Sequence, residues 1–331
     1  MTQNPISQSV KDTEKATLKI LMLHGYTQSG ELFRAKARAL EKHIQKRMPE
    51  YQVTFVYPTG PIALKPDDIP FQTSNEQQKT DDGSAPELLN AYAWWRRSNT
   101  ADPPVYLGLD TGLEAIARIL TDEGPFDGVI GFSQGAACAA MVASLLEPGR
   151  REAFEYFSDP VNANTYRTTN ASTTQIPAES AGPTPIAGIP FPAVFSNVSH
   201  PPFRFVVCYS GFRAPGPRYR AFYERPQITT PVMHVIGSLD GIVDESRTRA
   251  LMAACEGDPE ADGRVIIHPG GHFLPSQRQY LDGVVSFIQR VLIGSEPLRD
   301  PAIIERAERL MGDKRNTGMA EVPVEDMDFP F

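Results

Sequence analysis

The chain alternates short, nearly continuous apolar runs with longer stretches in which apolar residues recur every three or four positions. Residues 19–25, Lys-Ile-Leu-Met-Leu-His-Gly, predict a buried parallel strand that opens into a loop. In 31–47, Phe33, Leu40 and Ile44 fall near one helical face with Arg and Lys elsewhere, which predicts a crossover helix. A second strand is expected over 52–57. The stretch 58–90 carries five prolines among many polar residues, so it reads as a long irregular loop overhanging a site. Leu109, Leu113, Ile116 and Leu120 have helical spacing, and Gly124-Pro125 ends that helix. An apolar run at 126–130 then meets an Ala-rich helical run at 136–146.

After Pro148 the composition changes. Residues 151–202 are rich in Thr, Asn, Ser, Ala and Pro, which predicts a disordered insertion, most strongly over 162–185. Strands are expected again at 203–209, 231–236 and 264–268, with helices at 244–256 and 277–292. Strands alternating with helices predict an α/β fold, a mostly parallel, doubly wound sheet with helices on both faces. The expected organisation is a flexible N-terminus (1–17), one domain (18–293) interrupted by the insertion, and a charged accessory tail (294–331) with one short helix near 301–311.

With 331 residues and 41% hydrophobic content the chain can build a substantial core. A net charge of −8 without a dense Lys/Arg block gives no footprint for nucleic acid or an anionic membrane. The polar first seventeen residues and the lack of eighteen consecutive apolar residues predict a soluble, cytoplasmic protein. Cys138, Cys208 and Cys255 are odd in number and scattered through apolar or helical runs, so they read as small core residues rather than disulfide partners or metal ligands. The sequons at Asn170 and Asn197 would matter only in a secreted chain.

Candidate chemistry centres on Gly131-Phe132-Ser133-Gln134-Gly135. GxSxG places a serine on a tight strand-to-helix turn, and here an apolar run precedes the motif and a helical run follows it. The bland alternative is a Gly-rich turn with a capping serine. A serine hydroxyl needs a base to take its proton and an acid to orient that base. In such sheets the two follow the serine in the order acid, then histidine. Asp240 follows the strand expected at 231–236, and His272 follows the one at 264–268 through Pro269-Gly270-Gly271. Asp244 competes for the acid but directly precedes a helical run, where capping explains it. His268 competes for the base but ends its strand, whereas two glycines would let the loop carry His272 over Ser133. His234 lies inside a strand, His43 on a helix surface, and His200 beside the insertion. The backbone N–H groups of Gln134 and Tyr26, with Thr27 as second choice, are the candidate oxyanion donors. No cofactor or metal is expected. Trp94, Trp95, Tyr57 and Phe71 stand in segments that could line the mouth, with core packing as the equal alternative.

The segments LHGYTQSG, GPFDGVIGFSQGAA, GSLDGIVDESR and HPGGHFLP resemble the FSH family of serine hydrolases, which includes LovG-like enzymes. The resemblance spans about residues 18–292; AYAWWRR and the run from Tyr106 to Leu113 share it. It implies an α/β-hydrolase fold, no cofactor, and Ser133, Asp240 and His272 as a triad. It also implies hydrolysis of a carboxylic ester or thioester, with an acyl or polyketide thioester on a synthase's acyl-carrier domain as the favoured substrate. The rival readings are a general carboxylesterase of small esters, a peptidase, and a non-catalytic hydrolase-like binding partner. The 151–202 insertion and the tail depart from the compact family pattern and leave substrate preference open.

Overall fold

The computed structural model describes residues 15–69, 90–98, 100–165 and 185–295. The chain forms β1 (Ala16–Leu23) and α1 (Gly30–Arg47), returns as β2 (Tyr51–Val56), and makes two short antiparallel pairs, β3 (Ile62–Ala63) with β4 (Tyr92–Ala93) and β5 (Arg96–Arg97) with β6 (Tyr106–Leu107). Next come α2 (Leu109–Glu123), β7 (Gly128–Phe132), α3 (Gln134–Leu145), α4 (Arg150–Ser158) and the single turn α5 (Pro160–Ala163). β8 (Phe205–Tyr209), β9 (Val232–Gly237), α6 (Glu245–Met252), β10 (Val265–His268) and α7 (Arg278–Ser295) complete the described chain.

Six strands form one wholly parallel sheet in the order β10-β9-β8-β7-β1-β2. This is the α/β-hydrolase arrangement the motifs imply. The order reverses at β1: the chain steps outward to β2 and then back across to β7. Ligands of open α/β sheets bind outside the carboxyl ends of the strands at such a switch point, and here that places the loops after β1 and β7 side by side.

Alternation along β7 shows how the sheet serves two layers. Val129 packs into a core with α2 and α3, while Ile130 and Phe132 pack on the other face. That second face is covered by Phe33, Ala37, Leu40 and Ile44 of α1 and by Val284, Phe287 and Ile288 of α7. α3 is buried along its whole length, which its Ala-rich sequence permits because small side chains allow close approach to the sheet.

The expectation of a disordered 151–202 insertion is corrected over most of its length. α4 buries Ala153, Phe154 and Phe157, and Phe154 meets Phe191 and Phe222 edge-on at 5.4 and 4.9 Å. The Thr, Asn, Ser and Pro that dominate the composition masked aromatic residues spaced at i and i+3, enough for a short amphipathic helix. Residues 166–184 lie outside the described residues, as do the expected helix near 301–311 and Phe71. The 58–90 loop holds a short pair through β3 and a turn at Pro66–Asp68. At the ends, β1 already begins at Ala16 and α7 runs to Ser295. Among the described residues no helix is long and apolar enough to cross a membrane.

Candidate active site

Ser133 stands between β7 and α3 with φ 53° and ψ −116°, a conformation that L residues hold only when the surroundings enforce it, at a cost of about 1–3 kcal/mol. Its N–H donates to the Tyr209 carbonyl at 2.8 Å, tying the turn to β8. Both glycines of the motif are sterically required. A Cβ on Gly131 would lie 2.3 Å from the Gly135 carbonyl oxygen, and one on Gly135 would lie 2.1 Å from that of Leu23. The serine makes no side-chain capping bond, so the capping alternative does not describe it.

His272 and Asp240 come from the loops after β10 and β9, adjacent parallel strands. His272 Nδ1 and Asp240 Oδ2 are 2.8 Å apart, and Asp240 Oδ1 accepts from the N–H groups of Ile242 and Val243, both at 2.9 Å. Burial alone would raise the Asp240 carboxyl. The Val243 amide, His272, Ser210 and the Ile242 amide together outweigh it and hold the group below the usual carboxylate range. An ionised Asp240 can only accept, so Nδ1 carries the proton and Nε2 presents its lone pair. The His272 ring packs at 4.7 Å, centroid to centroid, on Phe132, the residue before the serine. Among the described residues no hydrogen bond joins Ser133 Oγ to His272; such contacts often tighten only with substrate bound.

Gln134 opens α3, where the first N–H groups have no intrahelical acceptor. Opposite it runs the loop after β1. Thr27 N–H is consumed by the Tyr92 carbonyl at 3.0 Å and Gln28 N–H by that of Gly25 at 3.2 Å, whereas Tyr26 N–H has no partner among the described residues. Of the two candidate donors, Tyr26 is the one whose amide is unoccupied among the described residues.

Sequence reasoning missed His24. Its Nδ1 lies 2.8 Å from the Gly25 carbonyl, its Nε2 accepts from Gly60 N–H at 2.8 Å, and its own carbonyl accepts from Trp94 Nε1 at 2.9 Å. Burial, only partly opposed by the Gly25 carbonyl, pushes its pKa down to about 4, so the ring is neutral and serves as a donor–acceptor brace. The Gln134 side chain braces from the other side, accepting from Trp94 N–H at 2.9 Å and donating to the Trp95 carbonyl at 2.8 Å. Trp94 and Trp95 are core residues, fully or almost fully buried, rather than lining for a mouth. Tyr57 is half-buried against Phe33. The usable signal for His24 was its place at the end of an otherwise apolar strand.

The competing residues have structural roles. Asp244 caps α6, accepting from Ser246 N–H at 2.9 Å. His268 is buried between the rings of Phe273 and Tyr280. His234 lies inside β9 with a pKa pushed down to about 3 by burial and, secondarily, Arg264. His43 pairs with Asp282, and His200 accepts from Phe126 N–H. The three cysteines are buried and unpaired.

Several known proteins are similar to this chain. Esterase OVCA2 of Danio rerio is 30% identical over 82% of this chain and 97% of its own length. Family of serine hydrolases 2 of Saccharomyces cerevisiae is 26% identical over 83% and 99%. A Schizosaccharomyces pombe protein named dihydrofolate reductase is 30% identical over 86% of this chain, which spans about half, 48%, of that protein. Among solved structures, esterase PE8 is similar at a TM-score of 0.46 and 17% identity, covering 84% of this chain and 94% of its own. The profile of the family described as "Serine hydrolase (FSH1)" matches residues 13–284. That match takes in the serine turn and both loops that carry Asp240 and His272, and the chain is a hydrolase belonging to the FSH1 serine hydrolase family.

Proposed function

We propose that Ser133, His272 and Asp240 form a catalytic triad that hydrolyses a carboxylic thioester or ester through an acyl-enzyme. The observation that carries this reading is the 2.8 Å His272–Asp240 contact on loops beside the strained turn that presents Ser133. Ser133 Oγ attacks the acyl carbonyl while His272 Nε2 takes its proton. The N–H groups of Gln134 and Tyr26 stabilise the oxyanion. Collapse of the tetrahedral intermediate breaks the bond to the leaving group, and His272 returns the proton to the departing thiolate or alkoxide. Water then attacks the acyl-serine with His272 as base, and the acid departs as the proton goes back to Ser133.

As substrate we favour an acyl or polyketide thioester, including one carried on a synthase's acyl-carrier domain. Its support is the resemblance of the motif segments to LovG-like enzymes. The relatives named as esterases support oxygen esters as the second reading. A fluorophosphonate probe should label wild-type protein and fail to label Ser133→Ala; equal labelling would remove the nucleophile. Matched acyl thioesters and oxygen esters then rank the leaving groups, and turnover confined to oxygen esters would remove the thioester preference.

A further inference from the structure

The chain carries a net charge of −8, yet a cavity of about 460 Å³ beside the proposed acid is lined by Arg213, Arg220 and Arg247 and by a single carboxylate, Glu224. Both walls start near Asp240. One is the loop after β8, which begins at Ser210, a hydrogen-bond partner of the Asp240 carboxylate. The other is the first turn of α6, with Ser246 and Arg247. Glu224 already serves two of the three guanidiniums: it accepts from Arg220 Nε at 3.0 Å and pairs with Arg213. Arg220 also donates to the carbonyls of Asn162 and Ala163, so it is a strut of the wall. Arg247 has no ion pair or side-chain hydrogen bond among the described residues. Its guanidinium carbon lies over the Phe212 ring, 4.2 Å from the centroid, a contact that does not occupy the donors of the fork. Among the charged groups that act on it, Arg97 acts most strongly, ahead of Asp244 and Asp240. The site is therefore cationic, roomy, set off from Ser133 on the acid's side, and supplied with one unoccupied fork that suits a phosphate.

We infer that this cavity, with Arg247 as its principal contact, binds the phosphate of a phosphopantetheine arm, the group that coenzyme A thioesters and acyl-carrier thioesters share. The inference rests on the thioester reading above for its biological sense. Its first test needs no turnover, so the two fail separately.

Binding of 4′-phosphopantetheine and of pantetheine to the full chain is measured by calorimetry. The phosphate should tighten binding about tenfold or more, as one charge-assisted contact does, and inorganic phosphate should compete. Arg247→Gln should erase that difference and Arg247→Lys should keep part of it. Ser246→Glu, which places a carboxylate on the wall while leaving Arg247 intact, should erase it too. Equal affinity for the two ligands in wild type, or a difference that survives in both Arg247→Gln and Ser246→Glu, would overturn the assignment. In turnover, Arg247→Gln should lower kcat/KM for an acyl coenzyme A or carrier-bound thioester about tenfold more than for the N-acetylcysteamine thioester of the same acid, chiefly through KM. An equal fall on all three would also overturn it.

Discussion

Two acid–base pairs at opposite ends of the nucleophile helix differ in what they leave undone. At the far end, Glu147 and Arg150 meet at 2.9 Å with both side chains 1% exposed. Every group there is used: Glu147 Oε1 accepts from Thr229 N–H, Thr230 N–H and the Thr230 hydroxyl, and Arg150 donates to the carbonyls of Ser144, Ala221, Pro226 and Gln227. At the near end, Asp240 and His272 meet at 2.8 Å with exposures of 2% and 18%. Asp240 is saturated in the same manner, but among the described residues its histidine keeps one ring nitrogen without a partner. A saturated network holds a fold together, whereas one with a single open valence has something left to give a substrate.

The contrast predicts that the two pairs fail in different currencies. Asp240→Asn should lower kcat by roughly four orders of magnitude, the size of effect seen when the orienting acid of a serine triad is neutralised, with the melting temperature little changed. A loss under tenfold would remove Asp240 from the mechanism and collapse the distinction. Glu147→Gln should behave in the opposite way. Leaving the Arg150 guanidinium buried without its carboxylate costs about 3–5 kcal/mol, read as a lower denaturation midpoint at an unchanged m-value, while the surviving folded fraction keeps its specific activity. A drop in kcat at full folding would mean that strain at this end travels along α3 to Ser133.

The difference between the ends also marks what a sequence can reveal. The serine turn and the capping role of Asp244 were legible because each depends on neighbours within a few positions. The long-range braces were not. His24 acts on Gly60 and Trp94 from 36 and 70 positions away, and Glu147 acts on Thr230 from 83. No periodicity encodes such pairings; they follow from which loops the parallel sheet brings to one edge. Mouth lining and core packing stayed equal readings of Trp94 and Trp95 for the same reason, since that segment is tied inward by the Gln134 amide, 40 and 39 positions away, and by the His24 carbonyl, 70 away. The helix over 150–158 escaped notice for another cause: averaged composition hid Phe154 and Phe157.

His24 offers a pH test of the idea that closed networks are structural. Its pKa falls from 6.5 to about 4 on folding, so between those values the unfolded chain binds more protons than the folded one. The stabilisation by neutral His24 is complete above about pH 6.5 and is lost progressively as the pH falls toward 4, on the order of 3 kcal/mol in all. His24→Gln keeps a donor and an acceptor without titrating, so it should flatten this part of the stability curve. An unchanged slope between pH 6.5 and 4 would show that the ring does not titrate as its burial demands.

The smallest expected effect concerns a group that neither closes nor opens a network. Tyr106 is stacked between Trp95 and Tyr219, at centroid distances of 4.9 and 4.8 Å, and its buried hydroxyl has no hydrogen-bond partner among the described residues. The ring contributes packing, while the hydroxyl bears a desolvation cost with nothing in return. Tyr106→Phe keeps the stack and removes that burden, so it should stabilise the fold by about 1 kcal/mol, a rise in melting temperature of roughly 2–4 °C for a domain of this size. Calorimetry of the two proteins side by side checks it. If the variant instead melts lower, the hydroxyl has a partner in solution, and the sorting of this molecule's polar groups by unfilled valence would need revision at that point first.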